Sequence, residues 1–102
     1  MKTIDEIRRQ LSDGEFEFTR HALKRAVERN ISEEMIRQTG RDAQVIEEYP
    51  DDKYAPSCLL LGFFLQARPL HSKYPMPILL WLRIITLYEP DEHEWYDYTR
   101  RR

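Results

Sequence analysis

His21, Arg25 and Arg29 recur at four-residue intervals, which places an imidazole and two guanidinium groups along one stripe of a helix. Acid–base chemistry on a phosphate ester requires a base, an acid, and cations that stabilise the charge developing on phosphorus. Histidine and arginine suit these tasks, and a straight cationic ridge matches the repeating charge of a phosphate backbone. The same ridge has a plainer alternative, a solvated face whose arginines pair with Glu28, Glu33 or nearby aspartates. His71 and Lys73 form a second basic group, which can face the ridge from a strand. His71 is either a strand histidine bonded to backbone or a proton-transfer group.

The remaining polar candidates have competing readings of the same kind. Arg83 falls inside an apolar run, and a buried arginine there must be paired with a structural carboxylate or a substrate phosphate. Arg68 opens a basic cluster that ends at Lys73. Tyr88 and Trp95 are either core and rim aromatics or platforms for base stacking. The lone cysteine, Cys58, begins an apolar strand and reads as a buried structural thiol. No Cys/His cluster has zinc-ligand spacing, so neither a metal nor another cofactor is expected.

These side chains need elements to hold them. Thr3 and Glu6 make a capping box for a first helix that carries Ile4, Ile7 and Leu11 and stops at Gly14. Phe16 and Phe18 alternate with charge in a short strand. Thr19 caps a second helix, Arg20 to Arg29, with Ala22, Leu23, Ala26 and Val27 as its apolar stripe. Asn30 suits a left-handed stop, Ser32 opens a third helix with Glu33 and Glu34 in its first turn, and Gly40 ends it.

From Ala43 the pattern becomes extended. Val45, Ile46 and Tyr49 lead to a turn at Pro50, and the apolar run Ser57 to Leu65 reads as a central strand covered on both faces, with a bulge expected at Gly62. Arg68 to Tyr74 forms a strand with Leu70 and Ser72 on one face and His71 and Lys73 on the other, ended by Pro75 and Pro77. Ile78 to Tyr88 reads as the longest strand, with Leu80, Leu82, Ile84 and Thr86 opposite Leu79, Trp81, Arg83 and Ile85. A short helix is expected around Glu92 to Tyr98, followed by a flexible tail, Arg100 to Arg102. Helices followed by an antiparallel meander predict an α+β domain, with the N-terminal helices on one face of a four- to five-stranded antiparallel sheet.

At 102 residues the chain is expected to form a single domain over 1–102. With 41% hydrophobic and 33% charged residues it is too apolar for an intrinsically disordered chain. The N-terminus has no apolar signal segment, and the run Pro75 to Leu87, broken by Arg83, is shorter than the roughly 20 residues a membrane helix needs. A cytoplasmic protein with no membrane partner is expected. A net charge of −2 does not announce a nucleic-acid binder, although the basic residues cluster enough to line a local cleft.

Several short stretches together carry a family resemblance. They are Thr19 to Ala22 with Arg25 and Arg29, Asn30 to Ser32, Tyr49 to Asp52, Pro69 to His71, and Ile85 to Asp91 with Trp95. In that combination, from about Phe16 to Arg102, the chain closely resembles the domain of unknown function 4258 family, which looks like a branch of the RelE/BrnT-like toxin superfamily. The resemblance implies a helical hairpin on an antiparallel sheet, metal-independent endoribonuclease activity, and a small zinc-finger antitoxin as partner. On that view His21, His71 and Arg25 are the catalytic candidates, and Arg29, Lys73, Arg83 and Arg68 bind the RNA phosphates. The Ser72 to Pro77 stretch departs from the plain apolar strand expected of the family.

The alternative is a noncatalytic protein-interaction module with the same fold, which uses this face or an exposed strand edge. The catalytic reading requires His21, Arg25, His71 and Lys73 to converge on one open cleft. A homodimer or an antitoxin complex is the expected assembly.

Overall fold

The computed structural model describes residues 3–53, 55–65, 67–76 and 81–102. Helix α1, Ile4–Asp13, begins where the Thr3 hydroxyl accepts from the Glu6 amide at 3.2 Å and ends at Gly14, whose φ of 76° is left-handed. Strand β1, Phe16–Phe18, leads to α2, Arg20–Glu28, which the Thr19 hydroxyl caps by accepting from the Ala22 amide. Asn30 adopts the left-handed conformation, with φ of 56°, and turns the chain into α3, Glu33–Gln38. Ser32 caps α3, and its own amide donates to the Met35 sulfur, so a thioether fills the place a glutamate often takes. Gly40 does not end this helix; α3 tightens into a 3-10 turn at Thr39–Arg41.

The main sheet is four-stranded and antiparallel. Its strands are β2 (Gln44–Tyr49), β3 (Ser57–Phe64), β4 (Arg68–Pro75) and β6 (Thr86–Tyr88), in the order β2-β3-β4-β6. The register pairs Leu61 with His71 and Leu59 with Lys73, and between them it pairs Leu60 with Ser72 and Cys58 with Tyr74. Opposed residues share a face, so the sheet has two distinct sides. Cys58, Leu60, Phe64, Leu70, Tyr74 and Leu87 join Ile7, Leu11, Ala22, Ala26 and Ile36 of the helices in one buried cluster. His71 and Lys73 therefore project from the side that the helices do not cover.

Several expectations change. The bulge lies in β2 between Val45 and Glu47, not at Gly62. Gly62 is instead a contact point, because a Cβ there would collide with the Thr39 side chain and come within 2.9 Å of its carbonyl oxygen. The long strand expected to end at Tyr88 is two short ones. Strand β5, Leu82–Ile84, pairs in parallel with β1, and after Ile85 the chain rejoins the main sheet as β6. Pro77 and Ile78 to Leu80 lie outside the described residues. The switch is held by Ile85, whose amide donates to the Lys73 carbonyl at 2.8 Å.

Arg83 is exposed rather than set in an apolar face, since only Leu82 and Ile84 of β5 point inward. No helix forms after Asp91. Strands β7 (Trp95–Tyr96) and β8 (Arg100–Arg101) make a hairpin whose turn holds Asp97 and Tyr98 at φ of 50° and 61°. The arginine triplet is consequently ordered: Arg101 pairs with Glu47, and the Arg102 guanidinium donates to the carbonyls of Glu92 and Trp95. Among the described residues, no helix is long and apolar enough to cross a membrane.

Candidate functional site

His71 sits at the centre of the uncovered sheet face and is nevertheless fully buried, because the C-terminal hairpin folds over it. Its Nε2 lies 2.6 Å from the Tyr98 carbonyl oxygen, which can only accept, so this nitrogen carries the proton. Nδ1 is thereby the acceptor, facing the Tyr88 hydroxyl at 3.2 Å. Trp95 meets the imidazole edge to face at a centroid separation of 4.5 Å, and Tyr88 meets it at 5.3 Å. Burial pushes the His71 pKa below its usual 6.5, against the weaker opposing pull of its bond to Tyr98.

The helix ridge does not face His71. His21 is exposed and has no hydrogen-bond or ion-pair partner among the described residues. Arg25 is committed to Glu28 at 2.9 Å, the pairing expected of a solvated face. Arg29 turns toward the sheet edge and donates to the Leu87 carbonyl at 2.6 Å. Lys73 shares the His71 face but is held by Asp52 at 2.8 Å, with the Tyr49 ring 5.0 Å from its ammonium. That bond, with donors from Ser57 and the Lys53 amide, lowers the Asp52 pKa to about 2. Among the described residues, neither cleft that forms beside them gathers His21, Arg25, His71 and Lys73, of which Lys73 alone lines one.

Two other groupings form. An open cleft of about 600 Å³ at the β6 edge is lined by Arg29, Arg68, Tyr88 and Glu89. Arg68 reaches it from the start of β4, where it pairs with Glu89 and lies over the Phe64 ring. Tyr88 connects this cleft to the buried imidazole through its bond to Nδ1. Burial raises the Tyr88 pKa, so its phenol is protonated at neutral pH. A second cleft, of about 580 Å³, gathers Lys53, Lys73 and Arg83 around Asp52.

Glu89 was not among the sequence candidates, and Tyr88 was weighed there only as a core or rim aromatic or a base-stacking platform. Their signal was positional, since Tyr88 ends the strand that carries Leu87 and Glu89 stands between it and Pro90. Only the β4–β6 register, which sets Tyr88 beside His71, reveals their place. Cys58 is buried and its pKa is raised to about 11 by desolvation, which keeps it a thiol. Among the described residues, no three His, Cys, Asp or Glu side chains are grouped to hold a metal.

The family model described as Domain of unknown function (DUF4258) matches residues 18–89. The chain belongs to the DUF4258 family. Neither the curated proteins nor the solved structures compared with it include a significant match. The DUF4258 segment holds all four residues of the β6 cleft, whereas the hairpin that closes over His71 lies beyond it.

Proposed function

We propose that this DUF4258 chain is a metal-independent endoribonuclease of the RelE-like toxin kind, acting at the cleft of Arg29, Arg68, Tyr88 and Glu89. One observation carries the reading: a phenol bonded to a buried neutral imidazole stands in the same open cleft as two guanidinium groups. Arg29 and Arg68 would hold a phosphodiester and stabilise the charge that builds on its oxygens. The Tyr88 oxygen would take the proton of the 2′-hydroxyl as its own proton passes to His71 Nδ1. The 2′-oxygen then bonds to phosphorus, the bond to the 5′-oxygen breaks, and the leaving oxygen takes a proton from solvent at the cleft mouth. Burial keeps Nδ1 free of a proton at neutral pH, and it also makes His71 a weak base, so slow turnover is expected.

The test is cleavage of a mixed-sequence RNA by purified protein in the presence of EDTA, alongside growth on induced expression. Wild type is expected to cleave and to slow growth, with Tyr88→Phe reducing cleavage about 100-fold, the scale of one proton-transfer group. A His21→Ala/Arg25→Ala double variant should stay near wild type. Equal cleavage by wild type and Tyr88→Phe, or none by either, would remove the proposal.

A second reading, a noncatalytic protein-binding module, draws on Leu23 and Val27. They lie one turn apart on α2 and are 52% and 70% exposed. For that reading, a Leu23→Ser/Val27→Ser variant should lose a bound partner on co-purification and keep its melting temperature.

A further inference from the structure

Arg83 is left unexplained by the cleft at β6. It is exposed on β5, between two residues that point into the core, and makes no ion pair among the described residues. Its register partner on β1 is Glu17, yet the two carry no salt bridge. Instead Arg83 lines the second cleft, which shares no residue with the first.

This second cleft has the composition of a ligand site. Thr19, Ala55, Pro75 and Ile85 supply a largely apolar wall, and Lys53, Lys73 and Arg83 place three cations around the single carboxylate of Asp52. Asp52 does not cancel them. It accepts from Ser57 Oγ at 2.6 Å and from the Lys53 amide at 3.0 Å, and it fixes Lys73 at 2.8 Å. An ammonium has three protons to donate, so Lys73 is held in place by one bond and keeps donors for a ligand. The wall is equally fixed, since Thr19 donates to the Ile85 carbonyl and the Ile85 amide donates to the Lys73 carbonyl.

A volume of about 580 Å³ is in the range of small-molecule sites, and far larger than a lone phosphate would fill. We propose that this cleft binds a nucleotide, with Arg83 and Lys73 on its phosphate and the base against Pro75 and Ile85. Arg83 supplies the planar fork that recognises two phosphate oxygens, and Lys73 supplies a point charge beside it. The phosphate can belong to a free mononucleotide or to a segment of an RNA strand, and the two sources separate by experiment.

Three probes are titrated into the full chain by calorimetry: AMP, inorganic phosphate, and a six-nucleotide RNA made uncleavable by 2′-O-methylation. AMP is expected to bind at least tenfold more tightly than inorganic phosphate, and Arg83→Ala should weaken AMP binding at least tenfold. Because Arg83 is exposed, the variant should melt with wild type, and its melting curve verifies that the fold is kept. Tyr88→Phe should leave AMP binding unchanged, so loss of the cleavage reading and loss of this one are distinct results. AMP binding that depends on Arg83 assigns the cleft to a free nucleotide, and binding of the RNA alone with the same dependence assigns it to a strand. No binding by either AMP or the RNA, binding insensitive to Arg83→Ala, or AMP that binds but no more tightly than phosphate overturns the proposal.

Discussion

A histidine with both ring nitrogens bonded inside the protein gives up mobility in exchange for position. His71 donates to Tyr98 and accepts from Tyr88, so protonating Nδ1 would reverse the bond to Tyr88, which costs its hydroxyl proton that acceptor, and bury a charge. Its folded pKa is lowered from 6.5, so the unfolded chain binds the proton more readily. The stability it contributes is complete above about pH 6.5, declines as pH falls below that, and is gone once the lower folded pKa is passed. Thermal melting from pH 7.5 to 5 should show this decline, and His71→Gln should flatten it. His71→Ala leaves the Tyr98 carbonyl and Tyr88 hydroxyl without their partner and removes a buried ring, a loss of about 2–4 kcal/mol measurable by urea unfolding. Alternation along β4 was enough to place His71 and Lys73 on the same face. What that face meets depends on residues more than twenty positions away, and no local pattern reports them.

At the scale of elements, the caps were the most legible features. Thr3, Thr19 and Ser32 each accept from the amide three residues on, as short polar residues before an apolar stripe should. Gly14→Ala should cost about 1–2 kcal/mol, because φ there is 76° and a Cβ would lie 2.6 Å from an Arg37 nitrogen. Gly62→Ala should cost about 1–3 kcal/mol by forcing β3 away from Thr39, an overpacking penalty visible as a lower urea midpoint with an unchanged slope. Failures of sequence reading occur where tertiary contacts decide. A continuous apolar run cannot show that Ile85 divides it between two sheets. The polar stretch around Glu92 to Tyr98 has no apolar helical stripe, and Trp95 on His71 with Arg101 on Glu47 draws it into a hairpin instead.

For the whole molecule, the C-terminal hairpin is part of the structure that the family segment needs, although it lies outside residues 18–89. A chain ending at Pro90 would uncover His71 to water and lose the Arg101 pairing with Glu47. Such a chain should melt several degrees lower and bind the apolar dye ANS, whereas Arg101→Ala alone should change little, as exposed ion pairs contribute about 0–1 kcal/mol. The candidate site followed the same pattern of legibility. Arg29 and Arg68 could be nominated from charge alone, but their meeting with Tyr88 depends on how β6 is inserted beside β4.

The strand switch at Ile85 also sets an order of events in time. Thr19 bonds to Ile85 across 66 positions of chain, and β1 finds its strand partner in β5. As the chain emerges during synthesis, Phe16 and Phe18 wait for their strand partner until Leu82–Ile84 has been made. Pairing so distant is slow, on the order of milliseconds to seconds, and leaves an apolar edge open to other chains meanwhile. Newly made protein should therefore remain vulnerable to aggregation until Leu82–Ile84 arrives and pairs, and a chaperone is most useful to it until then.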